Sequence, residues 1–340
     1  MKRITLDQHI PKNLDINAAA NHSSALMLRL LENSPKPVKA MTNHLAKASG
    51  KGVRSSLLLA SATDKNGNVP KDTILAAAAV ELFHLATLIH DDVIDEASTR
   101  RGISSLHVEF SNKEAVICGD YLLCMAISAI SAIYGPHTSF AEQFAQAVGR
   151  VCLGELRQHS NNFNFDISFY EYLRTIHGKT ASLFFVSAYG GAILGGSKDD
   201  ELCQIGKLGS YIGMIFQIID DVKDYVLNHN EALKPTKADI TSGVINLPLL
   251  MAFLKEPSLR ETVRHTAPFE LSRLIKEVYR LNGIQDSLDI VYRYLKKSKK
   301  IMKSIKHKRK AEELDKQLTL LLTTADKLTQ KSANLRQFST

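Results

Sequence analysis

The sequence predicts an all-α fold in a single domain spanning residues 1–340. Three observations support this. Long segments rich in Ala and Leu recur along the chain, no strict polar/apolar alternation persists, and no Pro/Gly/Ser-rich linker divides the 340 residues. Apolar residues make up 44% and charged residues 23%, the balance of a globular protein with a sizeable core.

In chain order, the first strong helical segment is 72–97, DTILAAAAVELFHLATLIHDDVIDEA, with Asp72 and Thr73 as expected caps. Segments 112–134, 140–160, 167–196 and 201–226 follow as helices. Segment 271–305 holds two more, broken near Asn282-Gly283. Several are apolar nearly all round, which places them at the centre of a bundle. Turns are expected at 64–72 and 227–239. The uncharged stretch 121–134 is too short to span a bilayer. The stretch 180–197 is rich in Ser, Thr and Gly and reads as a close-packed buried helix.

A net charge of +8 points to anionic partners: phosphorylated metabolites, a membrane surface or nucleic acid. Cys118, Cys124, Cys152 and Cys203 form no CxxC pair and no common zinc spacing, and are expected as reduced, mostly buried thiols in a cytoplasmic protein. The N-terminus lacks the apolar core of a signal peptide.

The chemistry concentrates in LIHDDVIDEASTRRG. Asp91 and Asp95 lie one helical turn apart, and Asp92 sits about 100° round from Asp91. Carboxylates this close repel, and a divalent cation would offset the cost. Hard oxygen donors suit Mg²⁺ or Mn²⁺ shared with a phosphate. FQIIDDVKDY repeats the spacing with Asp220, Asp221 and Asp224, again after an apolar run. One such motif alone is a weak signal and reads as a solvated acidic face. Two of them predict a carboxylate-lined cleft that binds a metal–diphosphate complex. The cations available to the diphosphate are Arg100, Arg101, Lys51, Arg54, Lys179 and Lys234, with His84 two turns before Asp91. Each alone reads as a surface group, and the case rests on the set.

These blocks, ELFHLATLIHDDVIDEASTRRG, AVICGDYLL, GKTASLF and FQIIDDVKDY, resemble in content and order the trans-isoprenyl diphosphate synthases of the polyprenyl synthetase family, over residues 45–255. The resemblance implies a helical bundle of about ten or more helices around a central cavity, in a homodimer. It implies Mg²⁺ bound by Asp91, Asp92, Asp95, Asp220, Asp221 and Asp224. It implies that Arg100, Lys179 and Lys234 hold an allylic diphosphate (farnesyl or geranyl), with Gln217 near its reacting end. Lys51, Arg54, His84 and Arg101 would hold isopentenyl diphosphate. The expected reaction is ionisation of the allylic C–O bond, head-to-tail 1′-4 attack by isopentenyl diphosphate, and proton loss to the released diphosphate. Gln217 and the carbonyl of Lys179 or Thr180 are candidates to stabilise the carbocation, with a packing role for Thr180 as the alternative.

The growing chain should run towards the N-terminal end of the first aspartate helix. Ala86 lies about 7.5 Å below Asp91, and Ala86 and Thr87 are small, which predicts a product beyond C20. Phe83, Tyr121 or Met125 could instead set a floor, which leaves a short-chain product as the alternative. Three departures from the family pattern stand out: SGKGVRSS for GGKRxRP, with Gly52 where the family has arginine; Val244 for a lysine in GVINLP; and Lys223 at an apolar position. They leave room for a subunit that needs a partner. The basic stretch YLKKSKKIMKSIKHKRK, within a basic helical region at 290–340, reads as a solvated helix face or a contact with anionic lipid. No nucleic-acid module accompanies it, so nucleic acid is not expected as a partner. A metal-dependent phosphohydrolase and a terpene cyclase are the rival enzymes. The second aspartate motif with the Arg100-Arg101 pair speaks against the first. The second would leave Lys51, Arg54 and His84 without a ligand.

Overall fold

The computed structural model describes residues 4, 6, 9–47, 50–133, 138–226, 242–265 and 271–336. The expected turn at 227–239, which includes Lys234, lies outside them. The order begins with β1 (Asn13–Asp15), α1 (Ile16–Glu32), α2 (Lys36–Ala46), α3 (Val53–Ala62), β2 (Asn68–Pro70) and α4 (Asp72–Ile94). It continues with β3 (Thr99–Arg100), β4 (Ile103–Ser104), α5 (Leu106–Glu109), α6 (Asn112–Ser131), α7 (Thr138–Ser160), α8 (Phe169–Ile176), a π-helical turn (His177–Ala181), α9 (Ser182–Leu194) and α10 (Asp199–Val226). Helices at Leu247–Lys255, Ser258–His265, Leu271–Arg280, Gly283–Met302 and Lys308–Arg336 complete it. The fold is all-α, with only two short antiparallel strand pairs, β1–β2 and β3–β4, among the described residues.

The chain packs as two compact units: residues 1–144, 186–206 and 305–314, and residues 145–185, 207–304 and 315–340. In the first, α4 is the central helix and packs against α1, α3 and α6. Ile74 to Val80 are fully or nearly fully buried, and their run of four alanines lets neighbours approach on every side. Asp15 caps α1 by accepting from the Asn17 and Ala18 amides. In the second, the helix Leu247–Lys255 packs on Gly283–Met302. The Tyr225 hydroxyl donates to Asn246 Oδ1 at 2.7 Å, and the Tyr279 hydroxyl to the Tyr225 carbonyl at 3.0 Å. Asn282, at φ 59°, breaks the helix where its sequence predicts.

Three expectations are corrected. α4 starts one residue early, so Asp72 occupies its first position and Thr73 donates to the Pro70 carbonyl; neither is the cap. Asp72 still favours the positive end of the helix dipole. Of the cysteines only Cys118 is buried; Cys124, Cys152 and Cys203 lie exposed. On α6 the buried stripe runs through Ala115, Cys118, Leu122 and Met125, which turns Cys124 outward. The segment 167–196 is interrupted by the π turn rather than being one α-helix. By length and composition alone, α4, α6 and α10 are long and apolar enough to cross a membrane. The stretches 121–134 and 180–197 are not themselves such helices among the described residues.

Candidate active site

Three acidic residues lie where α4 ends. Asp91 and Asp92 occupy its last turn, and Asp95 is the C-cap, its amide donating to the Asp91 carbonyl at 2.8 Å. This is the negative end of the helix dipole, so carboxylates here are destabilised unless cations meet them. One cation is supplied locally. Arg101 and Gly102 form a two-residue turn with φ 51° and 81°, a type I′ geometry that suits a tight hairpin. The hairpin folds Arg100 back onto Asp92. Arg100 Nε donates to Asp92 Oδ1 at 2.7 Å, and Nη2 donates to the same oxygen. Asp92 is only 5% exposed, whereas Asp95 is open to solvent.

Arg101 sits over Gly50, and burial lowers its guanidinium from the ordinary value against the raising influence of Glu81. Glu81, which the motif reading missed, also accepts from the Ser55 amide at 3.0 Å in the first turn of α3. It therefore ties the Lys51–Arg54 segment to α4. Only its distance in sequence hid it. Lys51 is exposed, and Arg54 and His84 are half-buried. Gly52 has φ 59°, a left-handed conformation that an arginine adopts at a cost. The departure at this position thus has a backbone reason. Below Asp91 on α4, Ala86 is 1% exposed and Phe83 meets Phe144 edge-on with ring centroids 5.8 Å apart. Met125 is buried and Tyr121 half-buried on α6.

The second motif lies near the end of α10. Asp220 is exposed and 3.6 Å from Lys223, its neighbour one turn on. Asp221 is 5% exposed and accepts from the Tyr172 hydroxyl at 2.6 Å, the Gln217 amide at 2.9 Å and the Leu247 backbone N–H at 3.1 Å. The Gln217 carbonyl in turn accepts from Thr180 Oγ1 at 2.7 Å. Burial, and then the charge of Asp221, hold the Tyr172 phenol well above its ordinary value, so it stays a donor. Thr180 is thus a positioning residue for Gln217. Asp224 is half-buried.

The π turn aims Lys179 and Thr180. A methyl group at Gly154 would collide with the Lys179 backbone nitrogen, and one at Gly178 would come within 3.0 Å of the Arg150 carbonyl. Glycine on both sides lets α7 and the π turn touch backbone to backbone. Lys179 Nζ donates to Glu155 Oε2 at 2.8 Å across this contact. Beside Asp221 and Gln217 opens a cleft lined also by Asn162, Thr175, Val244 and Asn246. Asn162 Oδ1, Thr175 Oγ1 and Asn246 Nδ2 are buried with no hydrogen-bond partner among the described residues. Their placement suits water or a polar ligand in the cleft. Val244, one of the departures, forms part of its apolar wall.

Among the described residues no three acidic, His or Cys groups are already clustered as a metal cage. The donors the two motifs offer are carboxylate oxygens, which suit Mg²⁺, an ion that takes one or two carboxylates and completes its shell with water and substrate phosphate. Asp92 and Asp221 are held by protein donors, while Asp95 and Asp220 face solvent.

The profile of the polyprenyl synthetase family matches residues 35–281. The chain is 33% identical over 259 residues to heptaprenyl diphosphate synthase component 2 of Bacillus subtilis (strain 168), covering 75% of this chain and 73% of that protein. Its fold is similar to the crystal structure of heptaprenyl diphosphate synthase from Staphylococcus aureus. The TM-score is 0.82 at 27% identity, covering 93% of this chain and 99% of that one. It is similar also to a polyprenyl synthase from Caulobacter crescentus CB15 complexed with calcium and isoprenyl diphosphate. There the TM-score is 0.81 at 26% identity, covering 90% and 94%.

Proposed function

We propose, from the premise that this chain belongs to the polyprenyl synthetase family and is a prenyltransferase, that it condenses isopentenyl diphosphate onto an allylic diphosphate with Mg²⁺ to make an all-trans polyprenyl diphosphate longer than C20. The observation that carries this reading is the shared design of the two aspartate motifs. In each, the middle aspartate is buried and fixed by protein donors, while another is left open to solvent.

Asp91, Asp92, Asp95, Asp220, Asp221 and Asp224 would hold Mg²⁺ (or Mn²⁺), Asp92 and Asp221 being the two that protein donors already fix. The bound ion supplies positive charge to the departing diphosphate. Arg100 spends two of its five N–H donors on Asp92 and keeps the rest for phosphate oxygens. Lys179, anchored by Glu155, and Lys234 serve the same diphosphate. Lys51, Arg54, His84 and Arg101 bind isopentenyl diphosphate, and Glu81 fixes Arg101 and the α3 N-terminus in support. Gln217, held between Thr180 and Asp221, presents its amide dipole to the allylic cation. The double bond of isopentenyl diphosphate attacks that cation, and the proton leaves to the released diphosphate.

The proposed chain acts in the cytoplasm as a homodimer. Val116, Ile117 and Ile127, each exposed on α6, support self-association. A second reading is that the chain is one component of a heteromeric synthase. The B. subtilis relative's description as component 2 favours it. Purified chain incubated with Mg²⁺, farnesyl diphosphate and labelled isopentenyl diphosphate should extend the primer beyond C20. Diphosphate release from the allylic substrate alone would favour a hydrolase or cyclase. Activity only after addition of another subunit would favour the second reading.

A further inference from the structure

The helix Gly283–Met302 buries Ile284, Ser287, Leu288, Val291, Leu295, Ser298 and Ile301 as one stripe. At 100° per residue, Arg293, Lys296, Lys299, Lys300 and Lys303 fall in a sector of roughly 120° on the opposite side. All five are exposed. No Asp or Glu occurs between Arg293 and Lys303, so the last three turns of this face are purely cationic. None of the five forms an ion pair among the described residues. Lys297 differs: its ammonium lies over the Tyr294 ring at 5.2 Å and the Tyr211 ring at 5.9 Å, which ties it to the protein. The acidic residues of the helix lie towards its start: Asp286 pairs with Lys255 at 2.6 Å, and Asp289, exposed in the same sector one turn before Arg293, accepts from Gln285 and bounds the cationic face.

We propose that this face docks the protein on an anionic lipid surface. Its charge is complementary to acidic head groups, and its regular spacing along a rigid, buried-backed helix presents several cations to one plane at once. Tyr292 falls in the same sector but is half-buried, its hydroxyl donating to Asp326 of the last helix at 2.8 Å, and no exposed aromatic or aliphatic side chain projects among the five, so the contact is peripheral and electrostatic, and salt should reverse it. RNA is the lesser candidate, because no exposed aromatic groups interleave with these cations to stack bases. The purpose of such docking rests on the proposed function, since a long prenyl chain must reach lipid. The docking itself does not, and it is measured without substrate.

Co-sedimentation of the full chain with vesicles of phosphatidylglycerol and phosphatidylcholine in equal parts tests it. Binding should be at least about tenfold stronger than to pure phosphatidylcholine vesicles and should be lost in about 0.5 M NaCl. The quadruple variant Lys296→Gln, Lys299→Gln, Lys300→Gln, Lys303→Gln should bind the anionic vesicles at least about tenfold more weakly, with unchanged circular dichroism and unchanged turnover of a soluble primer. Equal vesicle binding by the variant, equal binding to neutral vesicles, or tighter binding of single-stranded RNA than of anionic vesicles would each overturn the proposal.

Discussion

The Tyr172 hydroxyl donates to Asp221 Oδ2 at 2.6 Å in a fully buried setting, across 49 residues of sequence. A side chain on α8 thereby fixes the middle aspartate of the motif on α10. Tyr172→Phe removes a hydrogen-bond donor from a buried carboxylate. The expected cost is about 1.5–3 kcal/mol of stability, read by urea unfolding. Turnover should also fall, by about tenfold or more, because Gln217 hangs from the same carboxylate.

Asp91→Ala and Asp220→Ala should each lower turnover at least about a hundredfold, with the helical circular dichroism unchanged. Removing divalent ions with a chelator should abolish activity, and Mg²⁺ should restore it. Full activity in either variant, or in the presence of chelator, would remove the metal assignment.

Product length should respond to the apolar end of α4. Ala86→Phe places a ring about 7.5 Å below Asp91 and is expected to shorten the product. Phe83→Ala opens the space beside Phe144, so products should lengthen, at about 3–5 kcal/mol of stability. Chromatographic sizing of the dephosphorylated products distinguishes the two. Unchanged products in both would put the floor elsewhere.

Val244→Lys adds a cation to the wall of the cleft beside Asp221 and Gln217. It should lower KM for the allylic diphosphate more than it changes kcat, as expected for added ground-state binding. Steady-state kinetics with varied primer reads this directly.

Burial lifts the Cys118 thiol to about 12 from 9.0. An unfolded thiol ionises near 9.0, so between that pH and about 12 only the unfolded chain has released this proton. Its contribution to stability is complete below pH 9 and falls as pH rises. Cys118→Ala should flatten the alkaline loss measured by urea unfolding between about pH 9 and 11. In native protein at about pH 8, a thiol reagent should label exposed Cys203 and spare Cys118 until denaturant is added.

Both aspartate motifs were legible because helix geometry turns the DDxxD spacing into shared faces, a purely local relation. The apolar helices α4 and α10 were legible for the same reason. What escaped was long-range or weakly patterned. Glu81 is an ordinary helical glutamate until Ser55 is brought to it. Tyr172 resembles any aromatic on the strongly amphipathic α8. In α1 the buried residues include Ala19 and Ser23, which give too faint an apolar rhythm to mark a helix in the sequence. The exposure of Cys124, Cys152 and Cys203 is not legible in the sequence, because composition reports how often a residue type is buried, not which way its helix face turns.

The π turn at His177–Ala181 carries a last consequence. Such a turn places one extra residue in a helix, so everything after it is rotated by about a quarter of a revolution relative to an uninterrupted α-helix. Deleting that surplus residue would yield a more regular rod, with every peptide group conventionally bonded. Thr180 would then be swung off Gln217. Regularity and competence are here opposed: the irregular winding is what points Thr180 at Gln217 while Lys179 reaches Glu155.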